Sequence, residues 1–483
     1  MCFRPAFLYT ISDMVAYCMV GAGLAPARGH STVGAGLAPA RGHSTVGAGL
    51  APARGITTTV ESRNDPTMTP SPRQEIIMLA KQLGLPRIRG AEGFLVAVFI
   101  DALGSGFFLP FSLLYFHVAA GLPLVTVGFA ISLATIFTLP IAPLTGSLVD
   151  RFGARYVVIA SQLLQGVGFL GFLSVNSAPG LVAFALLTQV GQRVFWSSYF
   201  TLVADIAQPD ELDHWYGLAG TAQNIGFAVG GPLAGLLVAA SGLLGYHLVV
   251  IANSASFLFA AILLLFFVRT SQPVHKDVDK AGGYRAVIRD RPFLILTITN
   301  VIFALGSIFL GLGIPVFITA TLHQPAWLVG FVLAFNTILL AITRTIVVRL
   351  LEPYRRTRAL VLSGLIWCAW CAVTALAIFI PSWLLIPYIF VTTVFYTLAE
   401  LINVATSNAL VAAASPATLR GRYLAFYQFA WSIASILAPT LFTVLFTAAP
   451  ILPWLVIGAL MLLASFIVFR LEAHLPKQAV YRK

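Results

Sequence analysis

Charged residues are scarce in this 483-residue sequence. Asp, Glu, Lys and Arg together make up 10% of it, whereas 59% of the residues are hydrophobic. Soluble domains usually carry about 25% charged residues. A water-soluble fold could not cover so much apolar surface, so the sequence predicts that a lipid bilayer surrounds most of the chain.

Cysteine is also rare, with four residues at Cys2, Cys18, Cys368 and Cys371. None falls in a predicted external loop, so we expect no disulfide framework. Cys368 and Cys371 lie one helical turn apart inside an apolar run, without a second pair of ligands. We therefore interpret them as small apolar residues and expect no metal site.

The sequence shows no nucleotide-binding loop, no nucleophile–base pair and no cluster of metal ligands. These absences argue against an enzyme and against an ATP-driven pump. We accordingly expect no cofactor, and we expect the proton motive force to supply the driving gradient.

The first residues differ from the rest of the chain. A 13-residue unit, VGAGLAPARGHST, is repeated between Val20 and Gly55 with complete identity between copies. Units of Gly, Ala and Pro cannot build a packed core. We interpret residues 1–67 as a disordered tandem-repeat leader, or as the product of a start codon assigned too far upstream, with Met68 as the true start. Residues 68–90 would form a cytoplasmic segment.

Apolar runs long enough to span a bilayer recur twelve times after residue 90. With both termini in the cytoplasm, every Lys and Arg after residue 80 falls in an inner segment, except Arg193 and Arg344, which lie inside helices. This segregation explains the net charge of +12 without a nucleic-acid partner. The expected organisation is a six-helix bundle, a cytoplasmic loop, a second six-helix bundle and a cytoplasmic tail, at 91–268, 269–292, 293–470 and 471–483.

The two halves share a sequence pattern. ALGS occurs at 102–105 and again at 304–307, and a Pro-x-x-x-Val-Gly-Phe segment begins at Pro123 and at Pro325, both 202 residues apart. The fold class that follows is all-α and membrane-embedded, with two related bundles. Parallel repeats of this kind place a substrate site between the halves and allow alternating access.

The segment after the second predicted helix reads GSLVDRFGAR, from Gly146 to Arg155. It resembles the G-x-L-x-D-R-x-G-R-[KR] signature of the major facilitator superfamily, matching it at Gly146, Asp150, Arg151, Gly153 and Arg155. The resemblance covers residues 90–470 and implies that this charge cluster latches the cytoplasmic side. It also implies that helices 1, 4, 7 and 10 line a central cavity.

The second half offers a weaker counterpart of this segment at Glu352, Arg355 and Arg356, which keeps acid and base but loses the glycines. In the alternative interpretation, the charges of both segments only fix the orientation of the helices in the membrane and form no latch.

Four ionisable residues lie well within predicted helices: Asp101, Arg193, Arg344 and Glu400. A charge at mid-membrane costs about 2.5–3.5 kcal/mol on insertion scales, so each needs a partner, water or a function. We expect Glu400 or Asp101 to carry the coupling proton, because an apolar surrounding favours a neutral carboxyl. A static ion pair such as Asp101 with Arg193 is the alternative. Arg344, near the inner end of its helix, could instead extend to the interface.

Polar and aromatic residues on these helices are candidates for a substrate pocket: Tyr115, Gln189, Trp196, Asn300, Asn336, Tyr396 and Asn403. Packing against neighbouring helices is the simpler role for each.

The predicted function is secondary active transport of a small molecule across the cell membrane by a protein that acts as a monomer. Proton-coupled efflux of a drug or metabolite is the preferred interpretation, in part because the glycine-proline segment Gly226–Gly235 partly resembles that of proton-linked drug antiporters. The alternative is a proton-coupled uptake symporter for a sugar, organic acid or peptide, with Arg193 as an anion anchor.

Overall fold

The computed structural model describes residues 92–207, 211–268, 284–416 and 419–481, and these belong to one compact unit. The segments predicted at 1–67 and 68–90 lie outside the described residues, as does most of the central loop. Within the described ranges all regular elements are helical. This confirms the all-α membrane fold.

Twelve helical rods run through the described part of the chain. They are α1 Glu92–Phe108, α2a Leu124–Phe137 with α2b Ile141–Phe152, α3 Ala154–Phe172, α4 Ala178–Ile206, α5 Leu212–Ser241, α6 Leu243–Phe267, α7 Arg291–Val316, α8 Trp327–Leu351, α9 Arg356–Leu376, α10 Ser382–Ala414, α11 Arg420–Ala448 and α12 Leu452–Leu471. Nine of these rods are long and apolar enough to cross a membrane on length and composition alone. Rods α2, α3 and α4 complete the set. Short helices Tyr284–Arg289 and Lys477–Val480 precede α7 and follow α12.

Helices α4, α7 and α12 each have a proline in the first turn. Backbone N–H groups in the first turn have no acceptor within the helix, so proline, which lacks an N–H, costs no hydrogen bond there. Asp290 caps α7 by accepting a hydrogen bond from the backbone N–H of Phe293 at 3.1 Å. The second carboxylate oxygen of Asp290 accepts from the Tyr423 hydroxyl at 3.2 Å. One side chain therefore fixes the start of α7 and ties it to α11.

The 202-residue offset seen in the sequence recurs in the backbone. The first rod continues beyond α1 and ends in a short π-helix, Tyr115–Ala119. The seventh rod continues beyond α7 and ends in another, Phe317–Thr321. Each is followed by a residue with positive φ, Gly121 at 68° and His323 at 51°. Because His323 is not a glycine, it holds a conformation that side chains disfavour. The same local geometry has therefore been retained at equivalent places in both halves.

The two bundles meet along α5 with α8 and along α2a with α11. Gly231 and Gly330 face each other at the first contact, and Gly235 lies against the backbone of Trp327. At the second contact the Thr440 hydroxyl donates to the Ser132 hydroxyl at 2.8 Å. These contacts lie in the helix halves next to the predicted outer loops, so one end of the molecule is closed.

The opposite end is open. Helix α2b packs against α3 and α4 of its own bundle, and Asp150 and Arg151 at its end are exposed. A Cβ atom placed on Gly146 or Gly217 would meet no atom within 4 Å. On the orientation predicted from the basic residues, this open end faces the cytoplasm.

Candidate functional site

A cavity of about 410 Å³ lies between the bundles. Its wall is formed by α5, α7, α8, α10 and the first rod at and beyond the end of α1. The family resemblance implied rods 1, 4, 7 and 10, and α4 contributes no residue to the described wall. Most of the wall is apolar, and its polar side chains are Ser112, Asn224, Ser307, Asn336, Thr337, Tyr396 and Glu400.

Glu400 holds the only formal charge among the described lining residues. The Asn336 amide nitrogen on α8 donates to Oε2 of Glu400 at 3.3 Å. The Tyr396 hydroxyl, one turn earlier on α10, lies 3.4 Å from Oε1 and donates at 2.7 Å to the carbonyl oxygen of Ser307 on α7. The shorter bond dominates, so Tyr396 ties α10 to α7 and leaves Glu400 only loosely held. A carboxylate with such weak partners can accept a further ligand.

Asp101 lies elsewhere, inside the N-terminal bundle, with 6% of its surface exposed. The Gln162 amide nitrogen on α3 donates to its Oδ1 at 3.1 Å. One turn further along α1, Gly104 faces Asn253 and Ser256 of α6. The amide atoms of Asn253 and Oε1 of Gln162 are buried and have no hydrogen-bond partner among the described residues. Asp101 therefore belongs to a buried polar patch between α1, α3 and α6 and does not line the cavity.

Arg193 is half-buried on α4 and donates to the Ser432 hydroxyl on α11 at 3.3 Å. Among the described residues no ion pair joins Arg193 to Asp101 or to Glu400. The static Asp101–Arg193 pair considered from the sequence is thus not formed in this conformation. Arg344 is exposed on the inner half of α8, where a long side chain can extend to the interface.

Two of the seven pocket candidates, Asn336 and Tyr396, line the cavity beside Glu400. The others do not. Gln189 donates to the Thr135 hydroxyl at 3.1 Å, and the Tyr115 hydroxyl donates to the Phe172 carbonyl at 3.0 Å. The remaining three candidates lie apart from the cavity. Trp196 is on an exposed face, and Asn300 and Asn403 are buried in the C-terminal bundle.

The GSLVDRFGAR segment covers the end of α2b, the turn at Gly153 and the start of α3. Gly153 has φ of 81°, which a residue with a side chain would adopt only with strain, so the glycine is required by the turn. Arg155 donates to the carbonyl oxygens of Leu264 and Leu265 at the end of α6. Asp150 and Arg151 lie exposed beside this turn.

The counterpart in the second half is arranged differently. Arg355 pairs with Glu472, beyond the end of α12, at 2.9 Å, and Arg356 donates to the carbonyl oxygen of Ala479 at 3.0 Å. Glu352 is exposed and is not part of this pairing. Glu472 has no signal in the sequence that links it to this loop, because it stands more than 100 residues after the arginine it contacts.

Other site residues were also missed. Ser112, Asn224 and Ser307 line the cavity, and Gln162 contacts Asp101. Their signal in the sequence is a single polar residue in an apolar helix, which does not reveal the face on which it lies. No group of three or more His, Cys, Asp or Glu residues that could hold a metal ion occurs in the part of the chain that the structure describes.

Curated relatives of this chain are membrane transporters. A Na⁺, Li⁺, K⁺/H⁺ antiporter of Planococcus maritimus is 25% identical over 365 residues, covering 68% of this chain and 83% of the relative. The MFS-type transporter YdeE of Escherichia coli K12 is 23% identical over 381 residues, covering 78% and 94%. The multidrug resistance protein MdtH of Photorhabdus laumondii is 24% identical over 224 residues, covering 46% of this chain and about half, 55%, of its own length.

Solved structures share the fold. A mutant of the nucleoside transporter NupG superimposes with a TM-score of 0.65 at 14% identity, covering 79% of this chain and 98% of NupG. A POT family transporter in complex with a thioalcohol-conjugated peptide gives a TM-score of 0.63 at 12% identity, covering 81% and 99%. The sequence model described as Major Facilitator Superfamily matches residues 94–439, which is most of the chain. The protein is therefore a membrane transporter that belongs to the Major Facilitator Superfamily.

Proposed function

We propose that this transporter exports small, cationic, amphipathic compounds in exchange for protons. In this proposal Glu400 binds the proton and the cationic group of the cargo in turn. The observation that supports this most directly is the placement of Glu400, the only formally charged residue in the described wall of the central cavity. An anion entering there would meet a like charge, whereas a monocation would neutralise the carboxylate.

One carboxylate for two positive ligands makes their binding mutually exclusive. A proton on Glu400 removes the charge that would hold the cargo, and a bound cation disfavours the proton. Exchange follows when the cavity alternates between the two sides of the membrane. Names of relatives support the same direction, since they include a cation/proton antiporter and multidrug resistance proteins.

The cavity also sets the size and character of the cargo. Its volume of about 410 Å³ falls within the range of small-molecule sites. Its wall combines apolar residues with amides and hydroxyls such as Asn224, Asn336 and Ser307, which suits a small amine with a hydrophobic body. In this proposal the protein works as a monomer in the cell membrane, with both termini in the cytoplasm, and uses no cofactor beyond the proton gradient.

Uptake by symport is the second candidate. It is favoured by Arg193, a half-buried cation whose described hydrogen-bond partner, Ser432, is neutral and which could anchor an anionic substrate. Arg193 does not line the central cavity, so this candidate needs a second conformation that exposes it.

Everted vesicles with an acidic interior distinguish the candidates. Addition of small lipophilic quaternary ammonium ions, which have no proton to carry across the bilayer, should dissipate the pH gradient with the wild type, but not with Glu400→Gln, which keeps the shape of the side chain and removes its charge. Glu211→Gln, on the loop between α4 and α5 and outside the cavity, is the isosteric control and should behave as the wild type.

If no quaternary ammonium ion dissipates the gradient although the protein is inserted, the export proposal fails, and labelled organic acids should be tested for uptake in whole cells. If Glu400→Gln responds as the wild type does, Glu400 is not the coupling residue, and Asp101→Asn becomes the next variant.

A further inference from the structure

We propose that the C-terminal segment, residues 472–481, is a clamp that holds the loop between α8 and α9 on its own bundle, so that only the first-half loop between α2b and α3 acts as a gate. We call residues 472–481 the tail clamp. This inference concerns the open end of the molecule and does not depend on the substrate or on proton coupling.

Glu472 is the centre of the tail clamp. Its Oε1 accepts from Arg355 at 2.9 Å, and its Oε2 pairs with Nε of Arg358 at 2.8 Å and accepts from the buried hydroxyl of Thr357 at 2.6 Å. Both carboxylate oxygens are thus occupied by donors from the start of α9. A carboxylate with three donors of this kind is held far more firmly than one facing solvent.

The end of the segment is fastened as well. Arg356 donates to the carbonyl oxygens of Ala479 and Tyr481 at 3.0 and 3.3 Å. The guanidinium of Arg355 lies over the ring of Tyr481, 4.7 Å from its centroid. The start of α9 therefore contacts the tail at two separate points along it, at Glu472 and at Ala479–Tyr481.

Apolar burial adds to these polar contacts. Leu475, Ala479 and Val480 are 8%, 0% and 3% exposed, and the short helix Lys477–Val480 packs against α10 and α9. A terminal segment that only trailed from α12 would not bury these side chains. The tail is thus an integral part of the C-terminal bundle at the open end of the molecule.

The first-half loop is held less firmly. Arg155 binds the end of α6, as Arg355 binds the segment just beyond α12, but Asp150 and Arg151 are exposed, and no ion pair among the described residues includes them. A gate must exchange partners between two states. Charges already paired within one bundle are poorly placed to do so, since the exchange would first have to break the three hydrogen bonds that Glu472 accepts. The two loops, although equivalent in the duplicated plan, therefore have different roles.

Cysteine labelling tests the clamp. Val480→Cys, in a background with the four native cysteines replaced by serine, should react with a maleimide roughly tenfold more slowly than exposed Lys477→Cys, because a thiol must be accessible to react. Adding Glu472→Gln and Arg356→Gln together removes both fastening points and should bring the two rates together, whereas adding His474→Gln, an exposed neighbour, should not. Equal rates for the two cysteines in the parent background would overturn the docking.

A second measurement tests the asymmetry of the two loops. Ser147→Cys, exposed near the end of α2b, should lose labelling when the protein is shifted to the opposite conformation by Gly330→Ala, while labelling of Val480→Cys should stay the same. If Val480→Cys changes in step with Ser147→Cys, the second-half loop takes part in gating and the proposal fails.

Discussion

Gly231 on α5 and Gly330 on α8 meet backbone to backbone at the closed end of the cavity. A Cβ atom on Gly330 would overlap the carbonyl oxygen of Gly231, and one on Gly231 would lie 3.3 Å from the carbonyl oxygen of Gly330. Close approach of this kind is what small residues permit between membrane helices. The contact joins the two bundles, so it exists only while this end is closed.

Gly330→Ala should therefore open this end. The new methyl group meets backbone atoms, which cannot move aside as a flexible side chain would, and overpacking typically costs about 1–3 kcal/mol. That cost falls on the closed form alone and should shift the balance between conformations by about fivefold to more than a hundredfold. The reporter is Ser132→Cys, a buried position at the α2a–α11 contact, whose labelling by a maleimide should rise when Gly330→Ala is added.

The matched control is Gly220→Ala, because a Cβ atom there meets nothing within 4 Å. Unchanged labelling in Gly330→Ala alongside unchanged transport would show that the glycine contact does not close the cavity.

The open end supports the converse prediction. Gly146 has empty space around its Cβ position, although it matches the glycine of the family signature. We expect the space to be filled when this end closes. Transport should fall stepwise through Gly146→Ala, Gly146→Val and Gly146→Leu, while thermal stability in detergent and substrate binding from the open side stay close to wild type. A fall in stability that parallels the fall in transport would instead point to packing in the present conformation.

The buried patch around Asp101 gives a third prediction. Gln162 supplies the hydrogen bond that the structure shows to this carboxyl, so Gln162→Ala should destabilise the protein by about 1–3 kcal/mol, the cost of leaving a buried polar group without a partner. Asp101→Asn can keep a hydrogen bond to Gln162 and should cost less than about 1 kcal/mol. Chemical denaturation in detergent measures both. Equal destabilisation by the two variants would mean that the hydrogen bond is not what stabilises Asp101.

Much of the fold is determined by the sequence alone. The bilayer requires long apolar helices, so the hydrophobic runs of the sequence predicted the positions of the helical rods. The 202-residue offset between the two halves also holds for the two short π-helices, Tyr115–Ala119 and Phe317–Thr321. The signature around Asp150 indicated the family, and the family model that matches residues 94–439 confirms it.

The tertiary structure decided which polar residues meet. A helix that is apolar on all sides gives no signal of its rotation, so Asn336 and Tyr396 could not be distinguished from Asn300 and Asn403 as neighbours of the cavity. Pairings across long stretches of chain, such as Arg355 with Glu472, likewise depend on packing. The physical reason is that hydrophobicity sets where a helix lies relative to the membrane, while close packing against its neighbours sets which of its faces turns inward.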